Sequence, residues 1–439
     1  MVLQSGVLSR LSARSNVRIC CRHVQTASVA VWGKPRTGSL KSLRHQDVFP
    51  VHKAVLTRIR SDVLLKDAYK GRIVDKKKTS KELQKGRPII SDQYVSSATQ
   101  QLEVLTQQEL IDLVVHLARC TLSEEKLHTD LSTLQILEKE CCSRAKNWDS
   151  ANLLLVADAF FIMSYRCAHY LSSVFREFEH RWTSMAIKKE DVVQLAMCIM
   201  IGRKFPLLLV KNIEKFLNLN VEEFSAGELS VICSAFFITN TSFRNVEAME
   251  KLANAVLHSV PNGELKAYQM GNVLKALRHA HFAKLSFYDN FGSLLSSSTA
   301  LCRDSAISDL SNVAFTYASL RISSEVLFSK ISSNAVRLIQ SRCHMRVKDI
   351  GRLVWSFSLL QEPLDEVLKT RLLFMLRHDT HLMEQFSEAF IEALLGLAMQ
   401  KTYPVDLLQK LFSAKFPNHG LFNFVTFCGV VISVPNLSP

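Results

Sequence analysis

The residues able to do chemistry are poorly arranged for catalysis. Phosphoryl transfer by a protein kinase needs a glycine-rich phosphate loop, a strand lysine, an H-R-D loop and a D-F-G magnesium ligand. None is present in the sequence: Asn290-Phe291-Gly292 lacks the Asp that would hold the metal, and 14 glycines in 439 residues are too sparse for a Walker loop. His378 and His381 share a helix face that Glu384 continues, but without H-E-x-x-H or a distant third ligand they read as a surface helix end. His279 and His281 point to different faces of a helix, and no nucleophile–base pair stands out. The cysteines form no C-x-x-C; Cys120, Cys167, Cys198 and Cys233 lie in apolar helical runs, where a free thiol behaves as a small hydrophobe. No enzyme activity, metal or cofactor is expected.

The remaining chemistry is charge. Residues 251–352 carry thirteen basic and six acidic side chains. The basic set includes Lys275, Arg278, Lys284, Arg303, Arg321, Arg337, Arg342, Arg346, Lys348 and Arg352, with His279, His281 and Tyr317 among them. Cations with interleaved rings suit single-stranded RNA, which needs phosphate neutralisation and planes for base stacking. The bland alternative is a set of solvated helix faces with His279 and Tyr317 in the core.

Net charge adds little to that case. The formal charge is +14, but residues 1–46 alone hold eight bases (Arg10, Arg14, Arg18, Arg22, Lys34, Arg36, Lys41, Arg44) and no acid, whereas residues 101–439 are net neutral. Four of those arginines recur every fourth residue in an acid-free, Ser-rich stretch, the pattern of a mitochondrial targeting sequence. Residues 47–104 read as a basic, largely disordered linker, with a cluster at Lys76, Lys77, Lys78, Lys81, Lys85 and Arg87. No apolar run reaches 18 residues, so no transmembrane segment is expected.

The elements that must position these residues are helices. A branched aliphatic residue followed three positions later by a small one recurs from Val115 through Val156, Leu195, Val231, Val273, Val313 and Leu353 to Leu395. The small partners are Ala118, Ala159, Cys198, Ser234, Ala276, Thr316, Ser356 and Ala398, and the spacing averages about 40 residues. Residues three apart share a helix face, so a neighbouring helix can approach closely there. The expected fold is all-α, an α-solenoid of about eight helical hairpins. Its repeat region runs over 105–346 and its last repeats over 347–417, followed by an atypical tail at 418–439.

Residues 153–161 (LLLVADAFF), 200–206 (MIGRKFP), 347–361 (VKDIGRLVWSFSLLQ) and 391–408 (IEALLGLAMQKTYPVDLL) resemble the FAST kinase domain-containing proteins of animal mitochondria. The likeness covers roughly 105–417, and 347–417 looks like the first FAST subdomain. It implies a mitochondrial-matrix protein of RNA granules or nucleoids, governing processing, stability or translation of mitochondrially encoded transcripts. Its implied partners are single-stranded mitochondrial RNA and other granule proteins. The family's second FAST subdomain and RAP domain do not follow; the sequence after Phe416 departs from the pattern, as in a truncated or alternatively spliced product or a gene-model error. The net-neutral body leaves a second reading open, a protein–protein scaffold in the matrix without direct RNA contact.

Overall fold

The computed structural model describes residues 48–75, 102–123, 131–298, 301, 305–341, 345–378 and 387–411. The segment 1–46 expected to be a targeting sequence, the lysine cluster at 76–87, Arg303, Arg342, His381, Glu384 and the tail at 418–439 lie outside them. The described residues contain seventeen α-helices and no strand. They fall into two compact units divided between Val256 and Leu257.

The N-terminal unit begins with α1 (Val48–Ile59), a π turn (Arg60–Leu64) and a short 3-10 turn (Asp67–Tyr69). Four hairpins follow: α2 (Gln107–Ser123) with α3 (Leu131–Arg144), α4 (Ser150–Ile162) with α5 (Ala168–Arg181), α6 (Lys189–Gly202) with α7 (Leu207–Asn220), and α8 (Ala226–Ile238) with α9 (Val246–Ser259). The last helix runs across the division between units. Helices α2, α4, α6 and α8 pack successively on one another as an A layer, while α3, α5 and α7 form a B layer.

The C-terminal unit repeats the plan. Its A helices are α10 (Ala267–His279), α12 (Ile307–Leu320), α14 (Val347–Leu360) and α16 (Ser387–Met399). Its B helices are α11 (Leu285–Ser297), α13 (Glu325–Gln340), α15 (Glu366–His378) and α17 (Val405–Leu411). Packing again runs between successive A helices, and along α11, α13 and α15. Each unit is therefore a two-layer α-solenoid of four hairpins.

The sequence dictates this layering through burial. Every residue of Asp191–Ile201 and of Ala226–Phe236 is buried, so these A helices are covered nearly all round. B helices bury only one stripe, such as Leu327, Phe328, Ile331, Asn334, Ala335 and Leu338 in α13. The small residues of the forty-residue pattern sit where A helices meet: Ala118, Ala159, Thr316 and Ser356 are fully buried. Gly396 shows the tolerance of that contact, because a Cβ there would lie 3.1 Å from both the backbone N and the Cα of Trp355. Gly396→Val is expected to destabilise the C-terminal unit by about 1–3 kcal/mol through overpacking, read as a lower urea midpoint.

Local signals start and stop the A helices. An acid or amide in the first turn accepts from the N-cap backbone: Asp191 from Lys188 N (2.8 Å), Glu228 from Ser225 N (2.8 Å), Gln269 from Lys266 N (2.9 Å) and Asp309 from Ala306 N (3.0 Å). A left-handed residue then ends the helix. Ser164, Arg203, Asn240, His281, Arg321, Gln361 and Lys401 all have φ between 52° and 60°, and none is glycine. At these turns the chain reverses through bonds such as Ile322 N to Tyr317 O (3.0 Å) and Phe282 N to Leu277 O (2.9 Å), as in a Schellman ending.

The segment expected to be a disordered basic linker needs correction over 48–75. Leu56, Ile59, Val63, Leu64, Tyr69, Ile73 and Val74 are buried, and α1 packs on α6 while the π turn packs on α8. The physical reason is that Arg60 and Arg72 meet carboxylates of the A layer instead of solvent.

Candidate nucleic-acid interface

Taking each repeat's aliphatic start as zero, the residues at −4, −1, +2 and +5 follow one inclined i+3 row, a stripe that winds around each A helix. In the N-terminal unit that row is largely apolar, carries two acids, Asp158 and Asp191, and is covered at both. Asp158, at +2 in α4, accepts from Arg60 Nε (2.7 Å), Arg60 Nη2 (2.9 Å) and Val74 N (2.9 Å). Asp191 and Gln194, at −4 and −1 in α6, bond Arg72; the Gln194 amide also donates to Arg72 O (2.7 Å). Beside the stripe, Tyr69 donates to Glu228 of α8 (2.6 Å). Burial alone would raise the Glu228 pKa, but bonds from Tyr69 and Ser225 and the Lys189 charge hold it below the usual carboxylate range.

In the C-terminal unit the same stripe carries bases. Lys275 occupies +2 and Arg278 +5 in α10, and Arg352 occupies −1 in α14. Between them α12 presents Asn312 at −1 and Phe315 at +2. The Arg278 guanidinium lies 4.6 Å from the Phe315 ring centroid and the Arg352 guanidinium 5.0 Å, one from each neighbouring helix. Arg278 Nη1 also donates to Thr316 Oγ1, and Arg352 Nη1 to Asn312 Oδ1, both at 3.4 Å. Like charges are thus held together and partly desolvated. Burial first, then Arg352 and Arg278, pull the Lys275 ammonium down to about 8, against the opposing pull of Asp309 and Asp349. Burial and Arg352 lower Arg278 as well, although a guanidinium stays charged. Asp309 and Asp349 lie at the capping end of the stripe, where Arg346 Nε bonds Asp349 (2.7 Å).

Of the ten basic residues singled out by sequence, the structure brings Lys275, Arg278 and Arg352 together. Arg321 is the left-handed residue after α12, and Lys284 is the exposed N-cap of α11. Arg337 is exposed on the outer helix α13. Arg346 caps α14 in its ion pair with Asp349, and Lys348 follows in the first turn, half-buried. Tyr317 is fully buried and donates to Tyr288 O (2.7 Å), so its ring serves the core and not a base. Exposed His378 stacks on Phe374 of its own helix. Sequence reasoning missed Phe315, Asn312 and Thr316, although their offsets from Val313 already placed the first two on the stripe. No group of three potential metal ligands occurs among the described residues, and no described helix is long and apolar enough to cross a membrane.

Two helical layers packed in successive hairpins define an α-solenoid. The chain is a distant relative of the FAST kinase domain-containing proteins. It is 21% identical over 293 residues to FAST kinase domain-containing protein 5, mitochondrial, of Mus musculus, covering 66% of this chain and 37% of that protein. The Homo sapiens and Macaca fascicularis proteins of the same name are each 21% identical over 287 residues, covering 65% of this chain and 36% of theirs. The chain thus spans little more than a third of the length of the curated relatives it matches. No protein-family model matches it. Kinase and mitochondrial are words in those relatives' names; the similarity supports a mitochondrial role here.

Proposed function

We propose that this chain is an RNA-binding protein of the mitochondrial matrix, acting in processing, stability or translation of mitochondrially encoded transcripts without catalysing a reaction itself. The observation that carries the reading is the cluster of Lys275, Arg278 and Arg352 around Phe315. Three cations held on one stripe, with two guanidiniums already oriented by a ring, suit successive phosphates of a single strand. The N-terminal unit supplies an internal precedent, since Asp158 and Asp191 of its equivalent stripe engage arginines of another chain segment. Similarity to proteins named as mitochondrial supports a mitochondrial role, and the role implied by the family resemblance favours RNA as the polymer.

The test is binding of single-stranded RNA by the purified full chain across a salt series. Affinity should fall linearly on a log–log plot, with a slope near −0.7 for each phosphate neutralised. Lys275 adds a pH signature: as pH rises from 7 to 9 its charge is lost through about 8. Binding should therefore weaken over that window, the slope should shrink by about 0.7, and complex formation should take up protons near pH 8. Salt-independent binding, or none, would remove the proposal.

A scaffold role is the second reading, favoured by one observation. Apolar residues at the starts of B helices remain exposed: Leu285 57%, Val326 68% and Val405 63%. Recovery of protein but no RNA after crosslinking would favour it.

A further inference from the structure

We propose that the stripe of the N-terminal unit around Asp158 and Asp191 is a receptor groove for an arginine-bearing polypeptide hairpin, occupied in cis by residues 48–75. Its partner class is a basic polypeptide segment that presents arginines where Arg60 and Arg72 stand.

The contacts have the form of a bound ligand. The segment enters as α1, turns over α8 at Tyr69, and returns past α6 at Arg72 to α4 at Val74. Asp158 clasps both ends of this hairpin, taking two bonds from Arg60 and one from the Val74 amide, while Arg60 Nη2 donates to Val74 O (2.5 Å). Recognition is therefore set by guanidinium–carboxylate geometry on two successive repeats and one phenol on a third. Apolar anchors such as Leu56 and Val63 add affinity.

Among the described residues of the C-terminal unit the A helices pack on one another in the same way, and those residues comprise the two layers and their turns. At the +2 position Asp158 of α4 is matched by Lys275 of α10, so these two helices offer opposite charges to a bound segment.

Two measurements decide the matter. In the intact chain, hydrogen exchange at the Val74 amide should report an opening of residues 48–75 that precedes opening of α4 and α6. If Val74 exchanges only together with those helices, the hairpin is part of the core and the proposal fails. In the second, a protease site inserted between Lys78 and Thr79 of the full chain is cut, and a labelled peptide of residues 48–75 is added. The labelled peptide should replace the cleaved fragment, whereas a peptide carrying Arg60→Ala should bind at least about a hundredfold more weakly. Equal binding of the two peptides, or no replacement by excess peptide, would overturn the proposal.

Discussion

Asp158→Ala is expected to destabilise the N-terminal unit by about 3–5 kcal/mol, read as a lower urea midpoint and earlier exchange of residues 48–75. The reason is what the substitution leaves behind. Arg60 is only 7% exposed, and its guanidinium would keep the Val74 carbonyl as acceptor but lose the carboxylate that balances its charge. The Val74 amide would lose its acceptor as well, and an unpaired buried N–H costs about 1–3 kcal/mol. The pair itself contributes far less than its rupture costs. Arg60→Met together with Asp158→Leu should therefore recover the part of the loss that comes from the unpaired charge, while the Val74 amide stays without its acceptor. A double variant no more stable than Asp158→Ala would show that the site depends on the ionic geometry itself.

The second large effect concerns the basic stripe. Replacing Lys275, Arg278 and Arg352 together by Gln should reduce the salt slope of RNA binding by up to about 2, and affinity at moderate salt by at least about tenfold. Because both guanidiniums lie against Phe315, the substitutions also touch packing, so urea unfolding of the variant must accompany the titration. Arg337→Gln is the matched control. It removes one positive charge from the outer helix α13 and should change neither slope nor affinity by more than a small fraction of the triple variant's effect.

The comparison of sequence with structure turns on what periodicity can carry. The forty-residue pattern placed every A helix, because a small residue three after an aliphatic one is a demand of close helix packing and survives in the letters alone. It also held the stripe: Lys275, Asn312, Phe315 and Arg352 have fixed offsets from Val273, Val313 and Leu353. Those offsets show only when charge is counted around the helix instead of along the chain. Counting along the chain joined Arg337 and Lys284 to Arg278, although only Arg278 lies on the stripe.

The hairpin at 48–75 was hidden for a different reason. Its bases outnumber its acids and resemble a solvated linker, and the acids that answer them lie about 90 to 160 residues away, as with Arg60 and Asp158 or Tyr69 and Glu228. The trace left in sequence was Asp158 itself, a carboxylate inside the apolar run LLLVADAFF. A buried acid in such a run demands a partner, and its identity emerges only once the fold brings Arg60 to it.

The most direct test of the RNA reading is crosslinking of bound RNA to the full chain in mitochondria, followed by mapping of the crosslinked peptides. RNA adducts are expected on peptides from α10, α12 and α14, at or beside Lys275, Arg278 and Arg352, and not on 48–75. Adducts confined to the N-terminal unit, or crosslinks that yield protein partners and no RNA, would contradict it.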